Sequence, residues 1–281
     1  MRVLFVTWAW PSHLYALVPF AWACRNEGHE VLVASQPALL PELLACGLPA
    51  ATVGTDVDAA AMVAEYALPR EQDQPKQTGS GPGGRGPRAL QMFTRLAEAM
   101  TGGLIELGRQ WRPDLVVFEP TALAGPLAAA ALGVPAVRHL YGTDLMLRAR
   151  PVLPAALAPL AAEHGVAEFD PFGLATVDPT PASLQLPVNY HRLPVRHVAY
   201  QGPGRLPEPL PDPAGRPRVL ISWGHTMAKL APDRFLAGEV ARALAEDDGP
   251  ELVLAVSARQ RGLLGELPER VRVLVDTPLD L

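Results

Sequence analysis

A histidine just past a short apolar run is the residue of this chain best suited to chemistry. Residues 3–7 are a buried-strand pattern, the run Trp8, Ala9, Trp10, Pro11 and Ser12 follows, and His13 opens a helical pattern. The end of a first parallel strand faces the crevice where doubly wound folds bind ligands, and a neutral imidazole there can take a proton from a reacting hydroxyl. A helix-start histidine satisfied by backbone is the alternative reading of the same position. His29, His139, His164, His191 and His197 show no metal-like pairing, and surface or packing roles suit each. Cys24 and Cys46 are the only cysteines and lie in apolar helical patterns as buried free thiols, with no zinc or disulfide spacing.

Bulk properties exclude several classes. The formal charge of -5, with Lys76 and Lys229 the only lysines, gives no basic stripe for nucleic acid or for an anionic membrane surface. The N-terminal apolar stretch is too short for a signal peptide, and no window reaches the roughly 18 apolar residues of a spanning helix. A cytoplasmic protein is expected.

Strand and helix patterns alternate, the mark of βαβ units around a parallel sheet. Strands are expected at 3–7, 30–35 and 49–53, with helices at 13–26 and 41–45 between them. The run 68–88 is rich in Gly, Pro, Gln and Ser and reads as a mobile loop. Helical periodicity resumes over 89–111, followed by a strand at 115–118, a small-residue helix ending at Leu132 and a strand at 136–140. A Pro-rich linker at 203–217 separates a first domain, 1–202, from a second, 218–281. The second restarts the rhythm with a strand at 218–222, the turn Trp223 to Thr226, a helix at about 232–245, a strand at 251–257, a short helix at 260–267 and a strand at 271–275.

Local sequences give this α/β plan a family. The opening Met1 to Thr7, the run Pro11 to Ala23, Gly28 to Val31 and Ala34 to Pro37 resemble the start of bacterial antibiotic glycosyltransferases of the macrolide and anthracycline deoxysugar type. Pro113 to Pro120, Ala124 to Pro126, Gly133 to Pro135, Leu140 to Asp144 and Val195 to Pro203 extend the likeness over the whole chain. The resemblance implies a GT-B fold of two Rossmann-like, doubly wound domains. It also implies inverting, metal-independent and cofactor-free transfer of a deoxysugar from a TDP-sugar to a hydroxyl of a hydrophobic polyketide-type aglycone.

In that family a histidine after the first strand is the catalytic base, which places the role on His13. An acidic residue at the end of the strand finishing at Phe118 assists it, which points to Glu119; a helix N-terminal carboxylate favoured by the dipole is the alternative. The loop of Gly224, His225 and Thr226 corresponds to one that meets the donor phosphates. Trp8, Trp10, Tyr15, Tyr141 and Asp144 are the candidate acceptor contacts, and the 68–88 loop could close over the aglycone.

The family's Gly-Gly phosphate loop and its acidic-Gln pair do not occur before Leu281. The expectation is therefore a chain cut before the donor phosphate motif, with an incomplete second domain showing only the 3-2-1 side of its sheet and weak turnover by itself. A non-catalytic homologue that binds aglycone, or acts as an auxiliary partner, is the competing reading. An auxiliary activator protein, as some relatives need, is a further partner of the enzyme reading.

Overall fold

The computed structural model describes residues 1–67, 85–206, 217–245 and 249–279, without the side chains of 65–67 and 85–87. Most of the 68–88 loop and most of the 203–217 linker lie outside these residues. Met1–Tyr200 forms one compact unit and Gln201–Leu281 a second.

In the first unit, strands β1 (Arg2–Val6), β2 (Glu30–Ser35), β3 (Ala50–Thr52), β4 (Leu115–Phe118), β5 (Ala136–His139), β6 (Ala175–Asp178) and β7 (Arg192–Pro194) form one sheet. Its order is β3-β2-β1-β4-β5-β6-β7, and every neighbouring pair is parallel. The order reverses beside β1, as in doubly wound sheets. Helices α1 (Pro11–Asn26), α2 (Leu40–Ala45), α3 (Ala59–Ala67), α4 (Arg85–Trp111), α5 (Ala124–Leu132) and α6 (Leu153–Glu163) complete the unit. Two buried clusters cover the two faces of the sheet. One joins Leu4, Val6, Val116 and Phe118 to α4 and α5, and the other joins Val3, Phe5, Val33 and Val117 to α1 and α2. Strands apolar on both faces are what such burial requires, at about 2 kcal/mol per enclosed large side chain.

The helix around His13 starts two residues earlier than its apolar spacing suggests. Pro11 takes the first helical position, where a missing N–H costs nothing. The expected strand at 136–140 ends at His139. Helix α6 and strands β6 and β7 had no counterpart in the sequence reading. Proline inside or beside each (Pro154, Pro159, Pro179, Pro194) masks its periodicity, and strands of four and three residues carry little alternation.

The second unit holds β8 (Arg218–Ser222), α7 (His225–Leu230), α8 (Ala237–Leu244), β9 (Glu251–Val256), α9 (Ala258–Arg261) and β10 (Val271–Val275). Its three parallel strands lie in the order β10-β9-β8, the 3-2-1 arrangement. The turn read at Trp223 to Thr226 runs straight into α7, and the helix read at 232–245 begins only at Ala237, after a 3-10 turn over Pro232–Arg234. The short helix read at 260–267 lies earlier. Ser257 caps it, and Gln260 closes a reciprocal capping box instead of starting the helix. Among the described residues no helix is long and apolar enough to cross a membrane.

One buried histidine gives the fold a pH dependence. His139, at the end of β5, is 3% exposed, stacks on Phe20 at 5.3 Å, and its Nδ1 has no hydrogen-bond partner among the described residues. Burial pushes its pKa down to about 4, against weaker raising effects from backbone hydrogen bonds and Asp178. A depressed histidine pKa favours the neutral form in the folded state. Its contribution is complete above the unfolded value near 6.5 and is lost as pH falls toward 4. The expected loss between pH 7.5 and pH 5 is about 2 kcal/mol, read from urea midpoints. His139→Leu should remove most of that difference; an unchanged dependence in the variant would assign it elsewhere.

Candidate active site

Register brings the site together. β1 and β4 are parallel neighbours with Val6 opposite Phe118, so the residues after each strand emerge side by side. The Glu119 N–H donates to the Val6 carbonyl at 3.3 Å, one step beyond the ladder. After β1 the chain turns at Trp8–Trp10 and enters α1, which puts His13 in the helix's first turn. After β4 it turns through Glu119, Pro120 and Thr121 into α5. That helix lies close because Gly125 faces Phe118: an added Cβ would sit 2.6 Å from the Phe118 Cβ. A side chain there would push α5, and the turn before it, away from the strand.

His13 and Glu119 meet. Nδ1 of His13 lies 3.4 Å from Oε1 of Glu119, with the carboxylate fully buried and the imidazole 16% exposed. The longer Glu side chain folds back over its own turn. It accepts the Thr121 N–H at 2.8 Å, and the Thr121 hydroxyl lies 2.8 and 2.9 Å from its two oxygens. A buried carboxylate needs such donors.

Thr121 is the member that the sequence reading missed. Its hydroxyl donates to Glu119 and accepts the indole N–H of Trp8 at 2.8 Å, while its Oγ lies 3.3 Å from His13 Nδ1. A hydroxyl has one proton and two lone pairs. With the proton on Glu119 and one lone pair on Trp8, the other lone pair suits a donor. The network therefore assigns the imidazole proton to Nδ1, facing the Thr121 hydroxyl with Glu119 Oε1 at 3.4 Å, and leaves the Nε2 lone pair as the basic atom. Aromatic rings fix the plane of the imidazole. Trp8 meets it edge-on at 5.0 Å and Tyr141 lies over it at 4.5 Å and 34°.

The other predicted residues divide. Trp8 is buried at 2% exposure and supports the site from beneath, with Trp10 packed on it at 5.2 Å. Tyr141, 42% exposed, is the surface member over His13. Tyr15 lies elsewhere, half-buried and edge-on to Tyr200 at 5.5 Å, in the cluster on α1 and β2. Asp144 is enclosed in an ion pair with Arg138 at 2.7 Å and accepts the Tyr190 hydroxyl at 2.7 Å. Gly224, His225 and Thr226 belong to the second unit. Gly224 takes φ 63° before α7, a conformation natural to glycine, and the Gln260 amide donates to its carbonyl. Among the described residues no group of three His, Cys, Asp or Glu is arranged to hold a metal.

A Rossmann-like sheet with a histidine and a buried carboxylate side by side at its switch point fits many enzymes, and similarity places this chain in one family. Residues 22–224 match the family model described as "Erythromycin biosynthesis protein CIII-like, N-terminal domain". The chain belongs to this EryCIII-like family of glycosyltransferases. It is 33% identical to the 3-alpha-mycarosylerythronolide B desosaminyl transferase of Saccharopolyspora erythraea, over 99% of this chain and 73% of that protein. It is 31% identical to the aclacinomycin-T 2-deoxy-L-fucose transferase of Streptomyces galilaeus, over 100% and 72%. Among solved structures, the glycosyltransferase VinC in complex with dTDP matches with a TM-score of 0.77 at 30% identity, covering 99% of this chain and 73% of that one. The spinosyn rhamnosyltransferase SpnG with spinosyn aglycone matches at 0.75 and 27%, covering 99% and 72%. These neighbours are GT-B glycosyltransferases, the fold expected from the sequence.

Proposed function

We propose that this protein transfers a deoxysugar from a TDP-sugar to a hydroxyl of a hydrophobic polyketide-type natural product, with inversion and without a metal or cofactor. The observation that carries the proposal is His13, whose Nδ1 lies 3.4 Å from the buried Glu119 carboxylate. Nε2 accepts the acceptor's hydroxyl proton as its oxygen bonds to the anomeric carbon. The bond from that carbon to the diphosphate breaks at the same time, and TDP leaves with the electron pair. One displacement inverts the anomeric centre. Glu119 stabilises the imidazolium that forms and keeps its tautomer.

Tyr141 and Trp10 supply aromatic surface for the acceptor beside His13. On the family likeness, Gly224, His225 and Thr226 meet the donor's phosphates. Relatives that include desosaminyl and 2-deoxy-L-fucose transferases support the sugar class, and neighbours bound to dTDP and to spinosyn aglycone support both substrate classes. Incubation with a TDP-deoxysugar and macrolide or anthracycline aglycones in the presence of EDTA tests the proposal. The expected product is a glycoside of anomeric configuration opposite to the donor's, formed at a rate indifferent to the chelator. Retained configuration, or loss of activity with EDTA, would refute the mechanism.

A further inference from the structure

Two heavily enclosed charges of the first unit lie beneath the loop that carries Tyr141. Arg138 of β5 is 1% exposed and Asp144, six residues on, is 2% exposed. Nη2 of Arg138 donates to Oδ2 of Asp144 at 2.7 Å, and Nη1 approaches Oδ1 at 3.4 Å. The guanidinium also stacks over Phe172 at 3.7 Å and donates to the Thr176 hydroxyl at 3.2 and 3.3 Å. Tyr190 adds its hydroxyl to Oδ2 at 2.7 Å. Burying two ions costs several kcal/mol each, and an apolar pair of similar volume is often as stable or more so. Stability alone does not account for such a pair. A planar fork on a carboxylate, however, fixes both the place and the orientation of what it holds.

What it holds is a loop. The Leu140 N–H donates to the Val177 carbonyl at 2.9 Å, extending the sheet by one residue, and the chain then leaves the sheet at Tyr141 and enters a 3-10 turn after Asp144. Thr143 and Asp144 are tied to a second segment, the Thr143 hydroxyl to the Leu184 carbonyl at 2.9 Å and the Asp144 N–H to the Gln185 side chain at 3.0 Å. Midway, Gly142 has nothing within 4 Å of where a Cβ would stand, so packing there does not define the loop. The ion pair closes the loop at its base, and the loop carries Tyr141 over His13.

We infer that Arg138, Asp144 and Tyr190 are positioning residues that hold Tyr141 against the His13 imidazole. The inference rests on the reading of His13 as the base, but its test requires no substrate. The 281-residue chain with 13C-labelled histidine gives the ring proton shifts of His13, assigned with His13→Gln, and those shifts register the Tyr141 ring directly. Tyr190→Phe removes one bond to the carboxylate. The combined change Arg138→Met with Asp144→Leu removes the ion pair without leaving a lone buried charge. Both should move the His13 shifts toward those of Tyr141→Leu, the combined change further, and neither should move them again once Tyr141 is already Leu. Unmoved His13 shifts in a folded combined variant would overturn the inference, as would equal movements with and without Tyr141. Because these shifts are read without substrate, the positioning role stands or falls independently of glycosyl transfer by the chain.

Discussion

Replacing His13 by alanine lowers the transfer rate by about 10²–10⁴-fold, the range that a positioned general base contributes, while the midpoint of unfolding changes little. The imidazole is 16% exposed and sits on the first turn of α1, and the apolar residues that pin this helix (Leu14, Leu17, Val18, Ala21) are untouched. The loss should appear in kcat, because proton transfer is made in the transition state and the donor's diphosphate is bound elsewhere. His13→Gln should be as slow as His13→Ala, since an amide fills the space without a basic atom. Initial rates at saturating donor and acceptor measure both. A kcat within about tenfold of the parent's would remove His13 from the base role.

The second large effect falls on the residue behind it. Glu119→Gln keeps size and one acceptor oxygen but deletes the charge that balances the imidazolium. In a Ser-His-Asp triad the corresponding amide change costs about 10⁴-fold, largely by selecting the wrong tautomer. Here Thr121 lies 3.3 Å from the same ring nitrogen and still favours the Nδ1 proton. The expected loss is therefore smaller, on the order of 10²-fold in kcat, with KM for both substrates nearly unchanged. Glu119→Leu should behave differently. It strands the buried Thr121 N–H, while the hydroxyl keeps Trp8 and His13, and an additional loss of about 1–3 kcal/mol of stability follows from the unsatisfied group. Urea denaturation of the two variants separates the catalytic from the structural part. Equal rates for Glu119→Gln and the parent would make the carboxylate a fold element only.

Much of this was legible in the sequence for a physical reason. Strands β1, β2 and β4 are apolar on both faces because the sheet is covered on both, so their ends could be located, and parallel order then put the residues after β1 and β4 side by side. His13 and Glu119 follow from that geometry together with the family likeness. Thr121 did not follow, since its importance lies in three partners (Trp8, His13 and Glu119) that meet only in the folded chain. Arg138 gave no signal either. A charged residue inside an apolar strand looks like a surface position until its partners are known, and Tyr190 lies 46 residues from the Asp144 it bonds. For Tyr15 and Asp144 the residue type suited an acceptor site, but an aromatic ring or a carboxylate carries no record of the direction in which it will point. The structure turns Tyr15 toward Tyr200 and Asp144 toward Arg138.

Kinetics of the combined variant bear most directly on the claim that His13 and Glu119 act as one unit. If the carboxylate works only through the imidazole, then His13→Ala with Glu119→Gln should be no slower than His13→Ala alone, because residues acting as a unit are strongly non-additive. Losses that multiply, so that the double variant is slower than His13→Ala by the full factor seen for Glu119→Gln, would mean that the two side chains contribute independently and that the catalytic unit has been misassigned.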